Sequence, residues 1–404
     1  LNKKFNFAED FDKKFIFSQL KTILKKKKKN LLYLIPIGLK DVINTQNLKT
    51  SFGLSGMKNF TPGNNARLVD DLIENNALIF TKTTTAEFAV HFIDKKKNIN
   101  PHHKDFIAGT SSTGSAIAVA IDALPITIGT QTGGSILRPA SYCGIIGFKP
   151  TFGAIDRTGV LKTNDSLDTV GIFSKSIIGI EDTFSTLSRF NNDYPWTKNY
   201  LENLKKFKKK RSHKVGIFNK NFKLISNFDK RILDFTNRFL KKNSNLKIFE
   251  INKHLNLISK IHRHHDIIYR KSLHYYSNKS GLINKKISRE LKNYLFYGKK
   301  ISAKNYLKSL DFKSNCNKVF DTFFYDNYDF IIIPTTSSVA PRIREREKND
   351  TCLIWSFLGY PCITLPVKKK NINKMPFGLM IIANKYNDLS LLNFSKNIYK
   401  KLNV

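Results

Sequence analysis

Between residues 106 and 158 the chain changes character. The segment FIAGTSSTGSAIAVAIDALPITIGTQTGGSILRPASYCGIIGFKPTFGAIDRT is small, glycine-rich and nearly uncharged, whereas much of the rest is lysine, asparagine, isoleucine and phenylalanine. Four pieces follow one another in it. Residues 109–115 (GTSSTGS) form a flexible, hydroxyl-rich loop. Residues 116–124 (AIAVAIDAL) are small and apolar, so a helix made of them can pack closely. Residues 125–130 (PITIGT) are β-branched and predict a short buried strand. Residues 131–135 (QTGGS) predict a turn whose two glycines can take backbone angles closed to other residues. A serine just after such a turn sits at the lip of a sheet with free backbone N–H groups beside it, which is what an oxyanion hole needs.

Serine is a poor nucleophile at neutral pH and needs a base. No histidine falls inside the segment. Upstream, residues 78–89 read LIFTKTTTAEFA, with Lys82 after a short apolar strand and before a threonine run. A lysine held among buried apolar groups loses its proton more easily and can act as a base. Spacing alone leaves both readings open, since Lys82 also fits a surface lysine and GGS a purely structural turn. Glu87, five residues on, reads as a helix-face carboxylate rather than a catalytic one.

The order Lys82, GTSSTGS, GTQTGGSILRPASYCGIIGFKPTFG resembles the amidase signature family, whose enzymes use a Ser–Ser–Lys triad with a cis peptide at the middle serine. Residues 35–41 (IPIGLKD), 166–171 (SLDTVG), 329–335 (DFIIIPT), 358–366 (LGYPCITLP) and 376–382 (PFGLMII) are similar to family segments, so the resemblance covers residues 31–190 and 255–400. It implies Lys82 as triad lysine, Ser111 as middle serine, Ser135 as nucleophile, and an oxyanion hole of backbone N–H groups on Thr132, Gly133, Gly134 and Ser135. Two positions depart from the family: Thr110 stands where a glycine usually precedes the middle serine, and Met380 where many relatives carry a glutamine.

With 404 residues the chain can bury a large core as one α/β domain or two smaller ones. Strands alternating with helices predict an α/β sheet. The resemblance implies a single large domain with a central mixed sheet flanked by helices on both faces. We expect residues 1–30 to be a polar segment ahead of a domain spanning 31–404, with 191–330 its variable, helix-rich, substrate-side region. The run KKKKK at 25–29 cannot pack and reads as a solvated helix end or linker. Residues 191–212, with KKFKKKR, read as a surface excursion. Residues 340–350 read as a charged loop near the pocket mouth.

The formal net charge is +38, from 69 Lys and Arg against 31 Asp and Glu. Anionic surfaces or nucleic acids are one reading. The accompanying excess of asparagine, isoleucine and phenylalanine does nothing for phosphate binding and favours codon bias instead. No helix-turn-helix, zinc-finger or RNA-binding aromatic motif is present. Cys143, Cys316, Cys352 and Cys362 show no CxxC spacing, which fits a reducing cytoplasm. The start has no apolar h-region, and no uncharged apolar run reaches membrane-spanning length. The chain begins at Leu1, as expected of a fragment or a non-standard start. His254, His262, His264, His265 and His274 fall within residues 254–277, but no carboxylate or cysteine set completes a zinc sphere.

The leading expectation is therefore an amidase that hydrolyses a carboxylic amide to acid and ammonia, without metal or cofactor. Its expected partner is a small-molecule amide, with a homodimer as an option and neither specific nucleic acid nor membrane. Lys82, kept neutral in a dry pocket, would deprotonate Ser111, and Ser111 would deprotonate Ser135. The alternative within the resemblance is the A subunit of a tRNA-dependent amidotransferase, which releases ammonia from glutamine for a partner. Gln131 and the wording SILRPA weigh towards stand-alone amidases. A non-catalytic binding protein and a basic nucleic-acid module are readings from other classes.

Overall fold

Apolar, β-branched runs recur along the chain, and they assemble into one mixed sheet. The computed structural model describes all residues except 28, 91–97, 189–195, 198–212, 220, 282–285, 346, 373 and 404. Eleven strands are present among the described residues: β1 (Ala8–Asp10), β2 (Pro36–Lys40), β3 (Leu78–Thr83), β4 (Ile126–Gln131), β5 (Ile146–Lys149), β6 (Thr169–Ser174), β7 (His213–Phe218), β8 (Leu246–Ile251), β9 (Phe330–Pro334), β10 (Cys362–Ile372) and β11 (Met375–Ala383). Their order across the sheet is β1-β3-β2-β4-β6-β5-β10-β11-β9-β7-β8. The pairs β3/β2, β2/β4, β9/β7 and β7/β8 are parallel and the others antiparallel. The central strands β4, β6, β9 and β11 are buried along their whole length, and β9 and β11 accordingly read as continuous apolar runs.

The longer helices are α1 (Lys13–Leu24), α2 (Arg67–Glu74), α3 (Thr113–Ala120), α4 (Leu137–Cys143), α5 (Ile177–Leu187), α6 (Lys230–Lys241), α7 (Leu255–Lys279), α8 (Arg289–Lys300), α9 (Ala303–Asn327), α10 (Cys352–Leu358) and α11 (Asp388–Asn403). They cover both faces of the sheet. Along β6, Phe173 packs in one core with Ala116, Ile117 and Val119 of α3 and Ala140 of α4, while Val170 and Ile172 join the larger core on the other side. There α5 packs against both α2 and α11. The expected mixed α/β sheet with helices on two faces is what the chain forms. Helices α7, α8, α9 and α10 pack together beyond it, and α7 and α10 reach the candidate site.

The first 30 residues are not set apart from the domain, contrary to expectation. β1 pairs antiparallel with β3, with Asp10 opposite Lys82. On α1, Ile16 and Ile23 are buried against Leu78. The Gln19 carboxamide completes the sheet edge by donating to the Ile79 carbonyl (2.9 Å) and accepting from the Ile79 N–H (3.0 Å). The apolar positions of α1 were hidden in the sequence by the lysines around them. Lys25, Lys26 and Lys27 are exposed beyond the end of α1, as a solvated helix end should be. The excursion expected at 191–212 lies outside the described residues apart from Trp196 and Thr197. Met380 is buried in β11 opposite Thr364 and Ile333, so it packs the sheet and does not line the candidate pocket.

Candidate active site

β2 is a short strand of PIGLK ending in a lysine, and that lysine is fully buried. Lys40 Nζ lies 2.8 Å from Ser111 Oγ and 2.9 Å from Thr130 Oγ1. Burial pulls its pKa down from 10.5 to about 7, with the charge of Asp168 opposing the fall. Burial thus favours the unprotonated amine that a base needs.

Ser111 precedes α3 in the hydroxyl-rich loop. The Thr110–Ser111 peptide is cis, so the geometry implied by the resemblance is reached with threonine in place of glycine. Gly109 has φ +86°, and a Cβ there would stand 2.8 Å from Pro139 Cα, so the loop needs glycine at that point. Thr113 Oγ1 donates back to the Gly109 carbonyl (2.7 Å), and Ser112 Oγ to the Thr130 carbonyl (3.1 Å), tying the loop to the end of β4.

Ser135 lies on the turn between β4 and α4 and lines a cavity of about 610 Å³. Side chains from several elements fasten this turn. Gln131 Oε1 accepts from the N–H groups of Ile136 (2.7 Å) and Leu137 (3.0 Å), two of the unpaired donors that begin a helix. Ser356 of α10 donates to the Gly133 carbonyl at 2.6 Å, and His265 of α7 donates from Nε2 to the Thr132 carbonyl at 2.9 Å. Thr132 Oγ1 donates to Asp168 (2.7 Å), whose carboxylate also takes the N–H groups of Thr163 and Asn164 at 2.8 Å each. In a trans peptide the N–H points opposite to the carbonyl. Holding the Thr132 and Gly133 carbonyls therefore fixes where the Gly133 and Gly134 N–H groups point. Among the described residues no protein acceptor takes the N–H of Gly133, Gly134 or Ser135.

Beneath the turn, buried Arg138 donates to Asp350 (Nε–Oδ2, 2.9 Å) and lies 3.5 Å from Glu347. Both carboxylates belong to the charged stretch 340–350 and line the cavity, as expected for a loop at a pocket mouth. A hollow of about 650 Å³ around Asn44, Phe52, Lys58 and Gly281 contains none of the Lys–Ser pairing seen here.

The structure does not bring Lys82 to the serines. In the parallel register of β2 and β3, Leu39 lies beside Lys82 and Lys40 beside Thr83. Successive residues of a strand face opposite ways, so Lys40 and Lys82 leave opposite faces of the sheet. Thr83 faces α3, with its hydroxyl 2.6 Å from that of Ser115. Lys82 instead donates to the Ile43 carbonyl and to Thr50 Oγ1 (2.7 Å), and its ammonium lies 3.8 Å from Asp41. Lys40 was missed although it stands in IPIGLKD. The signal available was a lysine at the end of an otherwise apolar strand, which no surface position requires. Of the expected residues, Ser111 meets Lys40, which also bonds Thr130 near the end of β4, and Thr132, Gly133, Gly134 and Ser135 follow that strand in the chain and line the cavity.

The histidines of α7 diverge. His264 bonds Ser309 (3.0 Å) and stacks on Phe312, His265 holds the turn, and His262 lines the cavity. Among the described residues no group of three His, Cys, Asp or Glu side chains could hold a metal. Glu87 accepts from the backbone and hydroxyl of Ser288 and anchors the start of α8. The four cysteines are buried and unpaired, and among the described residues no helix is long and apolar enough to cross a membrane.

Comparison with known structures gives the class of fold. An amidase crystal structure superposes with a TM-score of 0.82 at 21% identity, covering 96% of this chain and 90% of that one. The A subunit of glutamyl-tRNA(Gln) amidotransferase from Thermotoga maritima superposes with a TM-score of 0.75 at 21% identity, covering 94% and 89%. The Amidase family model matches residues 2–392, and the chain belongs to the amidase signature family, hydrolases of C–N amide bonds. Among its relatives, the A subunit of the Mycoplasma genitalium glutamyl-tRNA(Gln) amidotransferase is 31% identical over 97% of this chain and 90% of the relative. The protein of the same name from Alkaliphilus metalliredigens is 27% identical over 92% and 83%.

Proposed function

We propose that this chain is the glutamine-hydrolysing A subunit of a tRNA-dependent amidotransferase, with Lys40, Ser111 and Ser135 as its catalytic groups. The observation that carries the chemistry is the 2.8 Å approach of a fully buried lysine to Ser111. Ser135 Oγ attacks the carboxamide carbon and its proton passes to Ser111, whose own proton passes to neutral Lys40. The N–H groups of Gly133, Gly134 and Ser135 receive the developing oxyanion. Collapse breaks the C–N bond, and the proton returns through Ser111 to the leaving nitrogen, releasing ammonia. Water then attacks the acyl-enzyme as the same relay takes its proton, and that proton returns to Ser135 Oγ as the acyl–oxygen bond breaks and the acid leaves.

Near full-length similarity to proteins named as A subunits of glutamyl-tRNA(Gln) amidotransferase supports the glutamine reading over that of a stand-alone amidase. In the sequence, Gln131 weighs the other way. Its carboxamide caps α4 and donates to Ser356 (2.8 Å), duties that do not depend on which amide is cleaved. The amidotransferase reading implies a protein partner that holds the tRNA, and the unpaired thiols are compatible with the cytoplasm.

The test is ammonia release from glutamine and from simple aliphatic amides, by wild type, Lys40→Ala and Ser135→Ala, with and without a co-purified partner. Glutamine turnover that vanishes in both variants is expected. Turnover of simple amides with none of glutamine would leave a stand-alone amidase. Full activity in Ser135→Ala would remove the mechanism.

A further inference from the structure

Five residues of α7 line the cavity: His262, His265, Asp266, Tyr269 and Arg270. Arg270 is held from two sides. Its Nε donates to both carboxylate oxygens of Asp266, at 2.7 and 2.8 Å, and its guanidinium carbon lies 3.9 Å above the Tyr294 ring. The Tyr294 hydroxyl in turn donates to Asp266 Oδ1 at 3.3 Å. Asp266 thus fixes the inner edge of the guanidinium and Tyr294 fixes its plane. Among the described residues no acceptor lies on Nη1 or Nη2, and about a quarter of the side chain (26%) is exposed. A planar fork held rigid by its neighbours, with both amino groups open, matches the two oxygens of a carboxylate.

The charges of the lining say what kind of molecule brings that carboxylate. Among the described residues of the lining, the charged side chains are Arg138, Arg270 and Lys348 with Asp266, Glu347 and Asp350, three cations and three anions. A polyanion such as a triphosphate would leave this lining unbalanced. An α-amino acid, carrying one charge of each sign, would not. Ser135 lines the same cavity, and the group it would attack there is an uncharged amide.

We propose that Arg270 is the carboxylate anchor of the cavity: its two amino groups receive the carboxylate of an ω-amide whose carboxamide lies at Ser135. The substrate class is then amides of amino-dicarboxylic acids, and α7 sets it. This rests on the reading of Ser135 as nucleophile, so one arm of the test does not use turnover.

That arm is calorimetric binding of glutarate to wild type, Arg270→Met and Arg270→Lys. Glutarate should bind wild type and lose at least about tenfold in affinity in Arg270→Met, with Arg270→Lys between, because a point charge replaces a fork. The second arm is kcat/KM for glutaramate against pentanamide, two amides of equal length of which only the first ends in a carboxylate. Wild type should prefer glutaramate by roughly 30-fold, mainly in KM, and the ratio should fall towards one in Arg270→Met. Fluorophosphonate labelling and thermal melts show which variants are folded, and Arg270→Lys carries the test if Arg270→Met is not. Equal glutarate binding in wild type and a folded variant would overturn the anchor, as would wild type lacking the preference. Preference for glutaramate with no turnover of glutamine would overturn the amidotransferase reading and leave the anchor standing.

Discussion

Leu39 of β2 lies beside Lys82 of β3, and this single register decides which lysine meets Ser111. It sends Lys82 to one face of the sheet and Lys40 to the other. Two buried lysines, one strand apart, therefore carry different burdens. Lys40→Ala should lower kcat about 10³-fold, the scale of a lost general base, with little loss of fold. Lys82→Met should act on stability instead. It leaves Asp41 buried beside Ser51 without its cation, at a cost of ~3 kcal/mol. Steady-state kinetics and thermal melts on the two variants separate these outcomes, and equal kinetic damage with equal melting would contradict the division.

In the proposed relay the amine of Lys40 sets the pH dependence. Its pKa falls from 10.5 to about 7 on folding, so the unfolded chain holds that proton more tightly between these values. Folding is penalised below about pH 7, and the penalty is relieved as pH rises towards 10.5. Activity needs the unprotonated amine and should rise with pH through an apparent pKa near 7. Asp168 opposes the shift, so Asp168→Asn should move the rising limb to lower pH. A pH–rate profile of both proteins measures this. An unmoved limb would separate Asp168 from the titration.

His265 touches the Thr132 carbonyl and no reacting atom in the mechanism, which makes it a positioning residue. A carbonyl only accepts, so Nε2 must carry the proton. His265→Leu should lower kcat by roughly 30-fold with KM little changed, because the glycine amides lose their fixed direction. His265→Gln retains a donor and should recover part of the loss. A change confined to KM would instead mean contact with substrate.

Gln131 makes the turn and the following helix one unit. Gln131→Ala removes the acceptor of two N–H groups at the start of α4 and should cost ~1.5 kcal/mol in denaturant unfolding. Activity should fall as well, since the same carboxamide donates to Ser356, which holds Gly133. A variant stable as wild type would show that other groups satisfy those donors.

Much of the site could be read from the chain because it lies in one continuous segment. Residues 106–158 contain the loop, the strand, the turn and both serines, each with a local signature. The proposed base could not be found this way. Lys40 and Lys82 both end apolar runs, and only the pairing of β2 with β3 separates them. That pairing is a long-range fact, invisible to local spacing. The edge strand β1 failed for a related reason. Three residues, AED, form a strand only because β3 is there to receive them. His265 and Arg270 lie more than 100 residues beyond the turn, in a helix whose many histidines drew attention towards metal. Which of them face the cavity depends on how α7 packs against α8, α9 and α10.

The same rod, α7, steadies the turn through His265 and lines the cavity with Arg270, the proposed carboxylate anchor, five positions later. Selectivity and rate are mechanically joined in it. A redesign that exchanges this helix to admit another amide would also disturb the hinge of the oxyanion turn. The 347–350 side offers no freer route, because Glu347 and Asp350 hold Arg138 beneath the same turn.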